Sequence, residues 1–284
     1  MRVISYFILV LALLTSCSGN LFESTAETDT DAARLVNAIQ FMNASSWDLA
    51  IAEFDEMSAD YLADRDVNFE RARAYAGRCG LSFTSLLNAI EGYDGSSPIF
   101  PFFMSAVSTN TASYIDDCIQ AEALMTGVGA VGDRTSAENT LLFFVEVVKI
   151  GVILSVHSDR DNDGTADAGF APCTDGTGSG DTTLPQLSAQ HLATGIGLMV
   201  EGISSGDVPG TSSLTTISTA CTTIAASLPA SYNFCSVTDV ADVTTDMEKG
   251  IRTLVGEQDE LSVGLGACGG FSAPNRTLAN CICL

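Results

Sequence analysis

Apolar residues recur every three to four positions along most of the chain, the spacing that places them on one face of an α-helix. Residues 31–42 show it clearly, since Leu35, Ile39 and Met42 fall on one stripe. The same spacing predicts further helices over residues 47–57, 68–79, 81–90, 111–126, 141–156, 184–203, 212–228 and 240–254. Residues 208–245, which are rich in Ser, Thr and Val, are the one region whose composition also suits a strand. The pattern therefore predicts an all-α fold, an array of mostly antiparallel helices.

The most apolar of these segments, residues 141–156, is predicted to be the central buried helix. Thr135 and Glu138 have the spacing of a capping box directly before it. The segment carries two charged residues, Glu146 and Lys149, and it is short for a membrane span. A place in the core is therefore favoured over a second membrane anchor.

The helical pattern and its interruptions divide the mature chain. Residues 31–284 are predicted to form a single helical domain. Residues 159–183, rich in Gly, Asp and Thr, form an acidic insert within it, and residues 264–284 form a loop-like tail that contains cysteines. The Gly- and Pro-rich residues 92–101 are predicted to be a break between helices.

The first 16 residues have the composition of a secretory signal peptide. A positive charge at the second position is followed by an apolar run over residues 3–14, and small residues come next. The sequence Leu14-Thr15-Ser16-Cys17 resembles the lipobox of bacterial lipoproteins. The resemblance implies cleavage before Cys17 and attachment of fatty chains, palmitate among them, to that residue. The alternatives are a cleaved signal peptide in which Cys17 is incidental, and an uncleaved anchor.

Residues 17–30 are predicted to be a polar tether between the lipid and the helical domain. They have few large apolar side chains and carry Glu23, Glu27 and Asp29, so they cannot form a core. Ser18 stands where an Asp retains many Gram-negative lipoproteins in the inner membrane. By this resemblance Ser18 indicates the outer membrane, with the domain on its periplasmic or outer face. Several fatty chains would hold the protein there stably.

The formal charge of the chain is −23, which excludes some partners. Nucleic acid is excluded, because its binding depends on Lys and Arg side chains that neutralise phosphates. A second, electrostatic attachment to anionic lipid is excluded for the same reason. Two interpretations of the charge stay open: solubility through self-repulsion, and attraction of divalent cations or basic partners.

Nine cysteines are present, and eight remain if Cys17 carries lipid. An even number in an exported chain indicates disulfides, and we expect at least two. No pair has the Cys-x-x-Cys spacing of a zinc or redox site. Cys281 and Cys283 are predicted to have separate partners and to attach the tail to the body of the protein.

Residues 47–57 resemble the second helix of a tetratricopeptide repeat. Trp47, Ala50 and Phe54 have the required order, in which a small residue allows a neighbouring helix to approach between two aromatic side chains. The resemblance implies a repeat-like helical array over the N-terminal third. No second full copy follows at the period of about 34 residues. The alternative is an ordinary helical hairpin whose aromatic residues belong to the core.

Residues 159–167 read Asp-Arg-Asp-Asn-Asp-Gly-Thr-Ala-Asp and resemble the calcium loops of EF-hands and thrombospondin type 3 repeats. Carboxylates at alternate positions converge when the chain wraps around an ion, and Gly164 permits the sharp turn. The predicted ligands are the carboxylates of Asp159, Asp161, Asp163 and Asp167 and the backbone carbonyl of Thr165. The twelfth position is Phe170 instead of Glu, so the missing oxygen would come from Asp175, Asp181 or water. The alternative is a solvated acidic loop.

Two short patterns that occur in enzymes lie in unsuitable surroundings. The glycines of residues 127–132 fit a dinucleotide-binding pattern, but a predicted helix, not a strand, precedes them. Ser204 lies in a Gly-x-Ser-x-Gly sequence that also ends a helical segment. The two histidines of the chain, His157 and His191, are expected to be structural. Catalysis is therefore not predicted.

The sequence favours a lipid-anchored envelope protein that binds another protein or organises a complex, without catalysis. The alternatives are a ligand-binding lipoprotein that serves transport, and a hydrolase that uses Ser204. An open groove with exposed aromatic side chains would favour a protein partner, and a closed apolar pocket would favour a small ligand. A histidine within hydrogen-bond reach of Ser204 would favour the hydrolase.

Overall fold

In a computed structural model, the protein is described over residues 29–95, 97–107, 111–175, 182–206, 208 and 214–284. These residues form eleven α-helices and contain no sheet, which confirms the all-α prediction. The helices are α1 (Asp31–Asn43), α2 (Trp47–Asp55), α3 (Ala59–Leu62), α4 (Arg65–Arg78), α5 (Phe83–Gly92), α6 (Ile99–Ala106), α7 (Ser113–Thr126), α8 (Ser136–Ser158), α9 (Gln186–Ser205), α10 (Thr215–Ser227) and α11 (Thr245–Gly256). The predicted signal peptide and Cys17 lie outside the described residues, as does most of the tether.

Helix α8 is the centre of the fold. It is 23 residues long, and α6, α7 and α9 pack around it. By length and composition alone it could cross a membrane, yet 83% of its most apolar window is buried inside the protein. The Thr135 side chain accepts from the backbone of Glu138, and the Glu138 side chain accepts from the backbone of Thr135. This capping box starts the helix at Ser136, five residues before the predicted segment.

Two helices, α3 and α6, were not predicted from the sequence pattern. Helix α6 lies partly within residues 92–101, which were predicted to be a break. Pro98 precedes the helix and Pro101 lies in its first turn, where a missing N–H costs no hydrogen bond. The described part of residues 208–245 holds α10, which confirms the helix predicted over residues 212–228, and two 3₁₀ turns, so it contains no strand. In α10 the hydroxyls of Thr222 and Thr223 donate to carbonyls four residues earlier, at 3.0 and 3.1 Å. The helix itself therefore satisfies the hydrogen bonding of these polar side chains.

Helices α1, α2 and α4 form an antiparallel group at the N-terminal end. Arg71 pairs with Asp55 at 3.7 Å, and Arg78 pairs with Asp48 at 3.0 Å, so α2 and α4 run in opposite directions. Ala50 and Phe54 of α2 are fully buried, as the repeat pattern requires. An ordinary helical hairpin requires the same burial, so the tetratricopeptide resemblance stays a prediction.

All eight cysteines after Cys17 form disulfides, which confirms the expectation from their even number. The pairs are Cys79–Cys118, Cys173–Cys283, Cys221–Cys235 and Cys268–Cys281. Cys281 and Cys283 therefore have separate partners, as predicted. Cys283 attaches the end of the tail to the acidic insert.

Candidate functional site

The acidic loop begins where α8 ends. The carboxylate of Asp159 is 1% exposed and accepts hydrogen bonds from the backbone N–H groups of Asp163 and Gly164, both at 2.9 Å. The chain reverses sharply here, with φ values of 58° at Asn162 and 84° at Gly164. Gly164 has no Cβ to oppose this conformation, and Asn is among the residues that tolerate it best. Asp159 therefore closes the turn that gathers the following carboxylates.

Asp159, Asp161 and Asp163 each offer one carboxylate oxygen, and the three oxygens lie within 4.8 Å of one another. Calcium ligands lie 2.3–2.6 Å from the ion, so ligand oxygens on opposite sides of it are about 5 Å apart. Burial, together with the contact with Asp161, raises the pKa of Asp159, although backbone N–H groups oppose the shift. A divalent cation bound between the carboxylates of Asp159, Asp161 and Asp163 would offset the repulsion between their negative charges. The three side chains thus fit the chemistry of calcium.

The other two predicted ligands have different surroundings. The hydroxyl and the backbone N–H of Thr165 donate to Oδ1 of Asp163 at 2.6 and 2.8 Å, which fixes that carboxylate. Asp167 accepts from Nε of Arg160 at 3.0 Å, and this hydrogen bond lowers its pKa. The structure therefore brings three of the four predicted carboxylates together. The fourth is held by an arginine.

The far end of the insert is fixed to α11. Arg252 is 5% exposed and donates to the backbone carbonyls of Pro172 at 2.8 Å and Leu184 at 2.5 Å. It also pairs with Asp175 at 3.0 Å. Asp175 is therefore paired with an arginine and does not belong to the three-carboxylate cluster, while Asp181 lies outside the described residues. Phe170, at the twelfth position of the loop, is buried in the core.

A second candidate site is an open cleft of about 1640 Å³, which we call the α2–α7 cleft. The turn before α2, the end of α4, the start of α5 and the start of α7 form its walls. The cleft was not predictable from the sequence, because residues 42–49, 73–83 and 113–117 form its walls and these segments are distant from one another in the chain.

The floor of the α2–α7 cleft is rigidly built. Arg78 donates to both oxygens of Asp117, at 2.9 and 2.7 Å, and to Asp48 at 3.0 Å. The disulfide Cys79–Cys118 links the residues that directly follow Arg78 and Asp117 in the chain, at the end of α4 and within α7. Because α4 and α7 are linked by both a covalent bond and a bidentate ion pair, the cleft is preformed.

Apolar side chains stand exposed in the cleft. Phe83 is 45% exposed and Leu49 is 52% exposed. One edge of the cleft continues into an apolar groove of about 350 Å³ between Phe69, Phe83 and Leu141. The Phe83 ring meets the buried Phe144 ring edge to face, with centroids 4.8 Å apart. Phe83 is thereby held in place, and its free face is open to a partner.

Ser204 lies apart from the two histidines, His157 on α8 and His191 on α9. The Ser204 hydroxyl donates to the carbonyl of Val200 in its own helix at 2.7 Å. His191 lies thirteen residues earlier in the same continuous helix, about 20 Å away at 1.5 Å per residue. His157 pairs with Ser188 at 2.9 Å, at the opposite end of α9 from Ser204. Burial lowers the pKa of both histidines to about 4, so both are neutral at pH 7.

The Gly-rich residues 127–132 join α7 to α8, so no strand precedes them. They lie in a helix–helix connection, as their surroundings in the sequence predicted.

No protein-family model, no curated protein and no solved structure matches this chain. The α2–α7 cleft and the acidic loop are therefore the features of the protein that bear on its function.

Proposed function

We propose that the protein is a lipid-anchored envelope protein that binds another protein through the α2–α7 cleft, without catalysis. The observation that carries this proposal is the exposure of Phe83 and Leu49 in a rigid, open cleft. Large apolar side chains held in a preformed depression are typical of the anchor positions in protein interfaces. The acidic loop serves as a structural calcium site beside the core.

A protein partner suits the cleft better than a small ligand does. Pockets for small molecules are commonly about 300–1,000 Å³ and enclose most of the ligand. The α2–α7 cleft is larger, at about 1640 Å³, and it is open to solvent. Its rigid floor reduces the entropy lost on binding, because little of the surface must be ordered. A transport ligand would require a more enclosed pocket.

The membrane attachment in this proposal is supported by the lipobox at Cys17 and the polar tether. Metabolic labelling with a palmitate analogue tests it directly. We expect label on the intact protein and none on Cys17→Ser, which should leave the membrane fraction. Equal membrane association of the two proteins would contradict the lipid anchor without bearing on the cleft.

Site-specific photo-crosslinking in the native cell tests the cleft. A photoreactive phenylalanine analogue at Phe83 should give one discrete crosslinked protein. The matched control is the same analogue at Leu187, which is 59% exposed on α9. Crosslinks to the same protein, with the same yield, from both positions would show that the cleft is not the binding surface. A Leu49→Ala variant should reduce the crosslink from position 83, because it removes an apolar contact and keeps the fold.

A further inference from the structure

We propose that the α2–α7 cleft binds a cationic amphipathic segment of its partner. The apolar side chains of the segment would lie against Phe83 and the neighbouring groove, and its Lys and Arg side chains would face the carboxylates of the cleft. This inference rests on the proposed function and names the chemistry of the partner.

The apolar part of the surface supports an amphipathic segment. Arg73, Phe83 and Leu141 line both the cleft and the apolar groove, so the two depressions are continuous. The groove is lined mainly by Phe69, Phe83, Ala137 and Leu141. Apolar side chains on one face of a segment would fill this groove while the opposite face stays in the wider, more polar cleft. A segment that is polar on all sides would leave the groove exposed to water.

The size of the cleft supports a segment of secondary structure. An α-helix with its side chains is about 10 Å across and rises 1.5 Å per residue. A volume of about 1640 Å³ therefore accommodates roughly three to four turns of helix. Helix-in-groove binding of this kind places anchors at positions i, i+3, i+4 and i+7.

The charges of the cleft favour a basic partner. Its two arginines are already paired: Arg78 with Asp48 and Asp117, and Arg73 with Glu70 at 2.7 Å. Three carboxylates line the cleft, those of Asp48, Asp117 and the exposed Asp116, against these two guanidinium groups. The excess is therefore negative, and the charge of −23 on the whole chain would speed the approach of a cationic partner.

An anionic partner is the competing possibility, because helices α2, α5 and α7 all begin at the cleft. Helix N-termini attract negative charge. In α2 and α7, however, Asp48 and Asp116 lie in the first turn and supply that charge from within the protein. The remaining N-terminus, that of α5, does not offset the carboxylates around it. The cleft is therefore better suited to cations than to acidic segments.

Binding of synthetic peptides to the full mature chain, followed by fluorescence anisotropy, tests this inference. The probe is an amphipathic peptide of about 14 residues with Leu and Phe on one face and Lys and Arg on the other. The controls are a scrambled peptide of the same composition and a peptide with Glu in place of Lys and Arg. We expect the cationic amphipathic peptide to bind at least about tenfold more tightly than either control.

Matched variants separate specific binding from attraction to an acidic protein. Phe83→Ala should weaken binding of the cationic peptide about tenfold, and Leu187→Ala should leave it unchanged. Asp116→Asn should weaken binding at low salt and reduce its dependence on salt. A circular dichroism spectrum of each variant confirms that its helices are intact.

Equal binding of the scrambled peptide, or no effect of Phe83→Ala, would overturn the inference, as would tighter binding of the acidic peptide. A crosslink confined to position 83, together with preference for the acidic peptide, would retain the proposed function and reject only the cationic partner. Loss of the specific crosslink would reject the proposed function itself.

Discussion

The ammonium group of Lys149 lies 2.5 Å from a carboxyl oxygen of Glu146, one turn earlier on α8, and both side chains are fully buried. Glu122 of α7 contacts the same ammonium group at 2.5 Å, so two carboxyl groups share one cation. Burial favours the neutral amine, but the two carboxylates outweigh it and raise the pKa of Lys149. Burial and then the charge of Glu122 raise the pKa of Glu146 to about 8. At neutral pH the cluster therefore holds a protonated Glu146 beside a charged Lys149.

The pKa of Glu146 predicts that stability falls as the pH rises from about 4.5 towards 8. The carboxyl binds its proton more tightly in the folded protein than in the unfolded chain, whose ordinary pKa is 4.5. Its contribution is fully present below pH 4.5 and is lost progressively up to the folded pKa, by up to about 1.4 kcal/mol per pH unit. Glu146→Gln keeps a neutral side chain of the same size, so it should remove this loss.

Urea unfolding of both proteins at pH 5 and pH 8 checks this prediction. The free energy of unfolding of Glu146→Gln should exceed that of the unmodified protein by a larger margin at pH 8 than at pH 5. Parallel pH profiles for the two proteins would show that Glu146 does not titrate in this window.

The shared cation predicts a large effect of removing Lys149. Lys149→Met leaves Glu122 and Glu146 facing each other in the core without a positive charge, which should cost about 3–5 kcal/mol. Lys249 offers a matched control, because it pairs with Asp246 at the same i,i+3 spacing. The two charged groups are 3.8 Å apart, and the Lys249 side chain is partly exposed. Lys249→Met should cost less than about 1 kcal/mol. Similar losses in the two variants, measured by urea unfolding, would contradict the role given to burial.

The three-carboxylate cluster predicts that calcium stabilises the protein. At a calcium concentration 100 times the dissociation constant, the free energy of unfolding should rise by about 2.7 kcal/mol. The variant Asp161→Ala/Asp163→Ala should lose both this gain and the heat of calcium binding in isothermal titration. A double variant of exposed carboxylates, Asp60→Ala/Asp66→Ala, removes the same charge elsewhere and should retain both. Equal heats from all three proteins would remove the calcium site from the proposal.

Nine of the eleven helices in the described residues were predictable from the sequence, because each depends on local spacing and caps, whereas α3 and α6 were not predicted. The buried α8 followed from its apolar length and from the capping box at Thr135. The break predicted over residues 92–101 was wrong in part, because prolines stop a helix in its interior but are accepted in its first turn. Local patterns therefore predicted whether a segment is helical better than they predicted the residues at which each helix begins and ends.

The α2–α7 cleft and the charge cluster were not predictable, because both depend on distant segments. Glu146 and Lys149 are visible as a pair three residues apart, but nothing in the sequence indicates that Glu122 joins them. Phe83 and Leu49 look like ordinary apolar residues of two separate helices. Only the packing of α4 on α7 and α2 places them in one exposed surface.

The contact between Trp47 and Gly77 predicts a local effect of adding a methyl group to the wall of the cleft. A Cβ atom at Gly77 would lie 2.6 Å from three carbon atoms of the Trp47 ring, so Gly77→Ala must displace the ring. We expect a loss of about 1–3 kcal/mol. Gly92, the last residue of α5, is the control, because a Cβ atom there would meet nothing within 4 Å.

Gly92→Ala should be neutral or stabilise the protein by up to about 1 kcal/mol, since alanine restricts the unfolded chain. Trp47 is the one tryptophan of the chain, so its fluorescence reports this site alone. Gly77→Ala should shift the emission to longer wavelength as the ring leaves its packed position and meets water, and Gly92→Ala should not. An unchanged emission spectrum together with unchanged stability in Gly77→Ala would show that Trp47 does not rest on α4. The cleft would then lack one of the walls on which the binding proposal depends.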